Sequence, residues 1–323
     1  MAGSGMGGHP ESHWWSGRLT PIRKEPSRVN SNFEVIAEGL RAPEGPVVLP
    51  DGSILVMEMH AGQITRVWGE GKTEAVAVTG GTPNGAQIGP DGALYVCNSG
   101  GEGNGPGDHG GGGRIERVDL ATGRVERLFD SVDGQPLSAP NDLVFDKTGG
   151  IWFTDFGAVR RRSIEKGGVY WCKPDGQTIR EGFFGGLGYN GVGLSPDGKT
   201  LYVAASWTGR LFRFDIETPG FLRNSEGADT PVPEYLGSAA GEAVFDSLAI
   251  TASGAVCVAT IVEGGITTFR PGEAASFLPL PDRTVTNIAF GGQDMHDAYI
   301  TLLRTGRLVK LRWEEPGLKL HYS

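Results

Sequence analysis

The chain has 323 residues, among them 53 glycines and 20 prolines, and its formal net charge is −9 at pH 7. Apolar residues still make up 38% of it, which favours a folded chain with many tight turns over a disordered one. The acidic balance, with no basic run longer than residues 160–162, argues against a nucleic acid or an anionic membrane as a partner. A small-molecule ligand is the expected partner, and the sequence leaves the oligomeric state open.

The first part of the chain differs from the rest. Residues 1–32 contain glycines, scattered charges and the pair Trp14 and Trp15, but no apolar stretch long enough for a signal peptide or a membrane span. We predict a partly ordered N-terminal extension there, and a single domain over residues 33–323. The cysteines Cys97, Cys172 and Cys257 lie in apolar runs without the spacing of a zinc site, so we predict buried thiols in a cytoplasmic protein.

One pattern recurs along the domain: a polar residue, a short apolar strand, a turn of the Pro-Asp-Gly type and a second apolar strand. Its copies are 40 to 57 residues apart, the length of a four-stranded propeller blade. They begin at Glu44, Asn84, Asn141, Asn190, Asp246 and Asn287. We predict an all-β fold, a six-bladed β-propeller, because a sandwich or barrel has no reason to repeat one register six times.

The residue that opens each copy bears an oxygen in its side chain, and it precedes the strand expected to lie innermost. Six such side chains would converge on the propeller axis, where carboxylate and amide oxygens suit Ca²⁺. Neither His nor Cys occupies these positions, as zinc or copper would favour. The pattern predicts one divalent metal ion, with Ca²⁺ favoured and Zn, Mn, Mg or Fe as alternatives. Each residue taken alone is also a common way to start a strand.

Several segments carry a resemblance to a known family. They are Ala42-Pro43-Glu44-Gly45-Pro46, Ala139-Pro140-Asn141-Asp142, Tyr189-Asn190-Gly191, the run from Ser195 to Val203, and Phe290-Gly291-Gly292. Over about residues 34–312 the chain resembles the SMP-30/gluconolactonase/LRE-like family, which is related in fold to paraoxonase and diisopropylfluorophosphatase. The resemblance implies that a Glu, two Asn and an Asp bind a divalent cation that catalyses lactone or ester hydrolysis. By motif these are Glu44, Asn141, Asn190 and Asp246.

Two positions depart from the family pattern. Members that act on sugar lactones often have an arginine two residues before the ligand asparagine, where this chain has Ala139, and a glycine after the ligand aspartate, where it has Ser247. Without the arginine, sugar hydroxyls lose a partner. We therefore expect a substrate less polar than a simple sugar lactone.

The resulting hypothesis is a metal-dependent hydrolase that opens a lactone or related ester with metal-activated water. Asp246 is the first candidate for the base that receives the water's proton, and Asp142 is the second. The loops after the second strands should surround the substrate. The candidate substrate-binding residues are Asn84, His60, Tyr189, Trp207 and Asn287, and the glycines of residues 100–113 are interpreted as a mobile lid.

Three other functions remain open at this point. A phosphotriesterase-like hydrolase, or a lyase or isomerase, would use the same metal site, and a non-catalytic binding propeller would hold a structural ion. The serine elbow GxSxG and the zinc motif HExxH are both missing from the sequence. The Gly-Lys-Thr at residues 71–73 lacks the first glycine of a phosphate-binding loop and is discarded.

Overall fold

The computed structural model describes residues 32–101, 112–224 and 226–322. Nearly all of the predicted extension, and most of the glycine segment interpreted as a lid, lie outside the described residues. The described residues form six antiparallel sheets arranged in a ring, so the predicted six-bladed β-propeller is confirmed. None of the described helices is long and apolar enough to cross a membrane.

Each blade has four strands, ordered from the innermost to the outermost. Blade 1 comprises Pro43–Val48, Ile54–Glu58, Gln63–Val67 and Thr73–Val78. Blade 2 comprises Pro83–Ile88, Leu94–Asn98, Arg114–Val118 and Val125–Phe129. Blade 3 comprises Pro140–Phe145, Ile151–Asp155, Gly167–Cys172 and Ile179–Gly186.

The second half of the ring follows the same plan. Blade 4 comprises Tyr189–Leu194, Thr200–Ala205, Arg210–Thr218 and Glu234–Ser238, with Phe221–Leu222 also paired to its third strand. Blade 5 comprises Val244–Ile250, Val256–Ile261, Gly265–Phe269 and Ser276–Pro279. Blade 6 comprises Val285–Gly291, Asp297–Leu302, Arg307–Arg312 and Glu34–Ala37. Outside the blades are the strand pairs Ser131–Val132 with Gln135–Pro136 and Val159–Arg160 with Ser163–Ile164, and the 3-10 helices Gly69–Gly71 and Ser206–Thr208.

Turn chemistry determines where the inner hairpins reverse. In blade 1, the Asp51 carboxylate accepts hydrogen bonds from the backbone N–H and the hydroxyl of Ser53, and Gly52 adopts a φ of 83°. Positive φ is open to glycine at little steric cost, and an aspartate at this place closes the turn through its side chain. All these turns lie at the end of the propeller opposite the residues that open the inner strands.

The ring closes through its first described strand. Glu34–Ala37 pairs antiparallel with Arg307–Arg312, so the outermost strand of blade 6 comes from the other end of the chain. Each innermost strand lies against the innermost strands of both neighbouring blades, including blade 6 against blade 1. This pairing covers the outer edge of Arg307–Arg312 and completes the four strands of blade 6.

The core lies between the faces of neighbouring blades. Between blades 2 and 3, for example, Tyr95, Phe145, Ile151 and Phe153 are buried together. Burying one such side chain contributes about 1.5–3 kcal/mol. The three cysteines lie free and fully buried in these layers.

Candidate metal centre and substrate cavity

A cavity of about 360 Å³ opens at the end of the propeller where the inner strands begin. Its floor carries one polar side chain from every blade. These residues, which we call the ring, are Glu44, Asn84, Asn141, Asn190, Asp246 and Thr286. The four metal ligands implied by the family resemblance are therefore neighbours in one cavity.

A β-bulge at the start of each inner strand places the ring residues. In blade 1, Glu44 pairs with Met57, and the next pair is Val47 with Leu55, so the inner strand carries one extra residue. The same shift occurs in all six blades. A bulge bends the strand and re-aims its side chains, which here turns the ring residues toward the cavity.

Blade 6 differs from the predicted register by one residue. Its bulge falls between Val285 and Asn287, so Thr286 lines the cavity at the level where Asn287 was expected. Asn287 lies deeper, lining the tunnel beneath the ring, and donates a hydrogen bond of 3.1 Å to Glu44 Oε2. Asn287 therefore supports a ring residue from below.

The carboxyl groups of the ring are held in an unfavourable environment. Burial raises the pKa of Glu44 to about 7, although hydrogen bonds from Asn287 and Gly45 act against the shift. Burial, followed by the neighbouring charge of Glu44, raises the pKa of Asp246 well above its ordinary value. Among the described residues that line the cavity, none is Lys, Arg or His, so no basic side chain of the wall compensates these acids.

Asp142 is a third carboxyl just below the ring. It lines the tunnel, and burial raises its pKa to about 7 against hydrogen bonds from Leu143, Ser247 and Val192. Of the two candidate bases, Asp246 lines the cavity itself, whereas Asp142 faces the tunnel with its oxygens already hydrogen-bonded.

Two of the ring amides leave an oxygen unused. The side-chain oxygens of Asn84 and Asn141 are buried and have no hydrogen-bond partner among the described residues. A buried polar atom without a partner lowers the stability of the fold by about 1–3 kcal/mol, so a bound ion that these oxygens could coordinate would recover that loss. Asn190 differs, because it donates to Ser206 Oγ at 3.2 Å and its oxygen accepts a hydrogen bond from Ser247 Oγ at 3.4 Å.

This donor set fits a hard cation. Two carboxylates supply negative charge, and the amide oxygens supply the neutral ligands that Ca²⁺ accepts in proteins. In residues 32–101, 112–224 and 226–322, no three His, Cys, Asp or Glu side chains form a metal-binding group. A cation at the ring would therefore depend on the asparagines as much as on the acids.

The wall of the cavity is mainly apolar and comes from the segments that follow the second strands. It includes Met59, Phe156, Trp207, Ile261 and Leu303. The rings of Phe156 and Trp207 meet edge to face with centroids 5.5 Å apart, and Trp207 remains 48% exposed. An aromatic side chain left this open beside a polar floor offers a surface to a ligand.

The predicted substrate-binding residues divide between the cavity and other places. Asn84 and Trp207 line the cavity. His60 is exposed and outside the lining, while Tyr189 is 3% exposed and packs against Phe183 and Phe214. Ser99 and Ser206 also line the cavity, in loops after second strands that were expected to surround the substrate, whereas sequence reasoning missed Thr286 and Leu303.

Comparison with known proteins gives one family. The model of the SMP-30/gluconolactonase/LRE-like region matches residues 42–304. A gluconolactonase of Zymomonas mobilis is 30% identical over 200 residues, which are 55% of this chain and 52% of that protein. A lactonase drp35 of Staphylococcus haemolyticus is 30% identical over 240 residues, 74% of this chain and 69% of that protein. The aligned part is thus about half of the first relative and about two thirds of the second.

Among solved structures, the calcium-binding protein regucalcin of Agrobacterium tumefaciens matches with a TM-score of 0.68 at 18% identity, covering 90% of this chain and 98% of that chain. Similarity at this level of sequence identity is evidence for a shared fold. The family model, in contrast, covers well over half of the sequence and includes every ring residue. The chain therefore belongs to the SMP-30/gluconolactonase/LRE-like family.

Proposed function

We propose that the protein is a metal-dependent lactonase whose substrate carries an apolar group. The observation that carries the proposal is the ring. Two buried carboxylates and two amide oxygens that have no partner in the described part of the chain form the floor of an open, mainly apolar cavity. The names of the two relatives, a gluconolactonase and a lactonase, support lactone hydrolysis as the reaction.

Glu44, Asn141, Asn190 and Asp246 would hold the ion, which we expect to be Ca²⁺. When bound, a divalent cation polarises a carbonyl group and lowers the pKa of water. The similar regucalcin structure is that of a calcium-binding protein, which supports this choice. The same set of oxygens also accepts Mn²⁺ or Mg²⁺.

The chain's own side chains bind the lactone and accept a proton. Phe156, Trp207 and Met59 form an apolar wall that would bind the substituent of the substrate and keep bulk water from it. Asp246 lies on the cavity floor and is the proposed base for the proton of the attacking water. Ala139 lines the cavity where a longer basic side chain would reach sugar hydroxyls, which supports a less polar substrate.

Hydrolysis of a panel tests this proposal. Purified protein is analysed for bound metal, then assayed with glucono-δ-lactone, an alkyl-substituted lactone, an aryl-substituted lactone and a phosphotriester, with acid release followed at constant pH. We expect the alkyl and aryl lactones to be opened faster than glucono-δ-lactone. Activity should disappear in excess EDTA and return when Ca²⁺ is added. Full turnover in EDTA, or turnover of the phosphotriester alone, contradicts the proposal.

A further inference from the structure

A buried polar side chain lies opposite the proline that precedes the ring residue in each of three successive blades. The cross-strand pairs are Pro43 with Glu58, Pro83 with Asn98, and Pro140 with Asp155. All three polar side chains are at most 4% exposed. In blades 4 and 6 the same position holds Ala205 and Leu302, which have no side-chain acceptor.

These side chains bind the backbone that leads into the ring. Asp155 is the fullest case, because its carboxylate accepts N–H bonds from Ser138 at 2.7 Å, Ala139 at 2.9 Å and Gly157 at 2.8 Å. Asn98 Oδ1 likewise accepts from Thr82 and Gly100, both at 3.0 Å. In blade 1, Glu58 accepts from Arg41.

The backbone before each proline is paired through these side chains. Proline itself donates no N–H bond to the neighbouring strand, and the N–H groups that precede it find their acceptor in a side chain of that strand. In blade 1 the residue before the proline, Ala42, also has a φ of 54°, which an L-residue rarely adopts. Such a conformation persists only where the surroundings fix it, and Glu58 is one of those restraints.

The same contacts fix the cavity wall. The residue after each acceptor donates its N–H back to the segment before the proline: Met59 to Ala42 O, Ser99 to Thr82 O, and Phe156 to Ala139 O. Met59, Ser99 and Phe156 all line the cavity. One acceptor therefore holds both a ring residue and the neighbouring part of the wall.

We propose that Glu58, Asn98 and Asp155 are positioning residues, which hold the backbone that presents Glu44, Asn84 and Asn141 to the cavity. They act through backbone N–H groups and are not ligands, since none of them lines the cavity. The claim about the ring's ion rests on the proposed function, whereas the claim about the backbone does not.

Two variants of Asp155 and a matched control test the proposal. Asp155→Asn keeps the oxygen that accepts from Ala139 and Gly157 but places an NH₂ group against the N–H of Ser138. Asp155→Ala removes both oxygens. Asp146 is the control, because it is a buried aspartate in the same hairpin that accepts bonds from Thr148, Gly150 and Trp171 at the opposite end of the blade. Asp146→Asn should lower the melting temperature without affecting the ring.

The first measurement is amide hydrogen exchange of metal-free protein. We expect exchange across residues 138–141 to rise about 10-fold or more in Asp155→Asn and to stay unchanged in Asp146→Asn. The second is Ca²⁺ affinity by calorimetry, which should fall about 10- to 100-fold in Asp155→Asn alone, the loss usual for residues that orient ligands.

The outcomes separate the two proposals. Unchanged exchange across residues 138–141 in Asp155→Asn overturns the positioning role, whether or not the parent binds Ca²⁺. A parent that binds no Ca²⁺ refutes the proposed ion, and hydrogen exchange then decides the positioning role alone. Faster exchange in Asp155→Asn with an unchanged Ca²⁺ affinity overturns the claim that Asp155 positions the ring residues for the ion. If Asp155→Ala does not fold, Asp155→Asn still decides.

Discussion

Two buried glutamates show how the partner of a carboxylate determines its effect. Glu116 forms an ion pair with Arg114 and accepts a hydrogen bond from Asn98, which offset part of the burial that raises its pKa. Glu44 is equally buried, but its nearest charges are the carboxyls of Asp142 and Asp246, which repel it. Removing the first carboxylate would leave its buried partner Arg114 unpaired, whereas the second should stabilise the fold only when a cation is bound.

Neutralising the two glutamates should therefore have opposite effects. At pH 8 without metal, we expect Glu44→Gln to raise the melting temperature, because it removes a buried repulsive charge. Glu116→Gln should lower stability by about 3–5 kcal/mol, because it leaves Arg114 buried and unpaired. Glu44→Gln should also weaken Ca²⁺ binding by at least about 100-fold. Scanning calorimetry with and without Ca²⁺ checks this, and a destabilised metal-free Glu44→Gln would contradict it.

The exposed indole of Trp207 leads to a prediction about specificity. Because Trp207 is already 48% exposed, Trp207→Ala should change stability little. We expect KM for an aryl-substituted lactone to rise about 10-fold, the loss of one aromatic contact, and KM for an unsubstituted lactone to change less. Trp68→Ala is the control, since Trp68 is 36% exposed and stacks under Arg66 away from the cavity. Equal losses for both lactones in Trp207→Ala would argue against an apolar subsite.

At the scale of the element, the local sequence of the inner strands predicts most of the ring positions but gives the wrong residue in one blade. The apolar run and the turn after it are local features, so five of the six ring positions follow from the repeat. The bulge is a feature of the pairing with the second strand, and no local pattern distinguishes Thr286 from Asn287 as the residue that opens blade 6. Asn287 instead has the role of Asp142, since each accepts the N–H of the residue after it.

The close approach of inner strands explains the glycine after several ring residues. A Cβ on Gly85 would lie 2.2 Å from Asp142 Oδ1 and 2.6 Å from its Cα, so a methyl group there must separate blades 2 and 3. We expect Gly85→Ala to cost about 1–3 kcal/mol or more and to weaken Ca²⁺ binding. Gly69→Ala, where nothing lies within 4 Å of the added methyl, should leave both unchanged. Chemical denaturation measures the change in stability, and calorimetry measures the change in Ca²⁺ affinity. If Gly85→Ala changes neither, the inner strands can separate without cost.

At the scale of the molecule, contacts between distant parts of the chain complete the ring. Strand Glu34–Ala37 closes blade 6, and near the other end of the chain Leu318 donates to Ile250 O while His321 O accepts from Gln87. The last two contacts carry the C-terminal segment across the end of the tunnel opposite the ring, where Leu318 and Leu320 line it. The repeat predicted the number of blades. It contains no signal for these closures, because each pairs segments more than 65 residues apart.

The buried carboxyls in the ring and just below it make the stability of the whole molecule depend on pH when metal is absent. The folded-state pKa values of Glu44 and Asp142 are about 7, above the ordinary 4.5 and 3.8. Between those values the folded protein holds more protons than the unfolded chain, so the free energy of unfolding must fall as pH rises. Exposed acids whose pKa is lowered, such as Asp51 and Asp197, act in the opposite direction but at lower pH.

We therefore expect the melting temperature of metal-free protein to decrease from pH 5 to pH 8. Ca²⁺ competes with protons for the same carboxylates, so the stabilisation by added Ca²⁺ should be large at pH 8 and small at pH 5. Glu44→Gln provides the internal control, because removing one of the titrating groups should flatten the metal-free profile. A metal-free melting temperature that rises over this interval, or an equal slope in Glu44→Gln, would mean that the ring carboxyls do not titrate as a buried, mutually repelling group. The proposed cation would then lack its electrostatic basis.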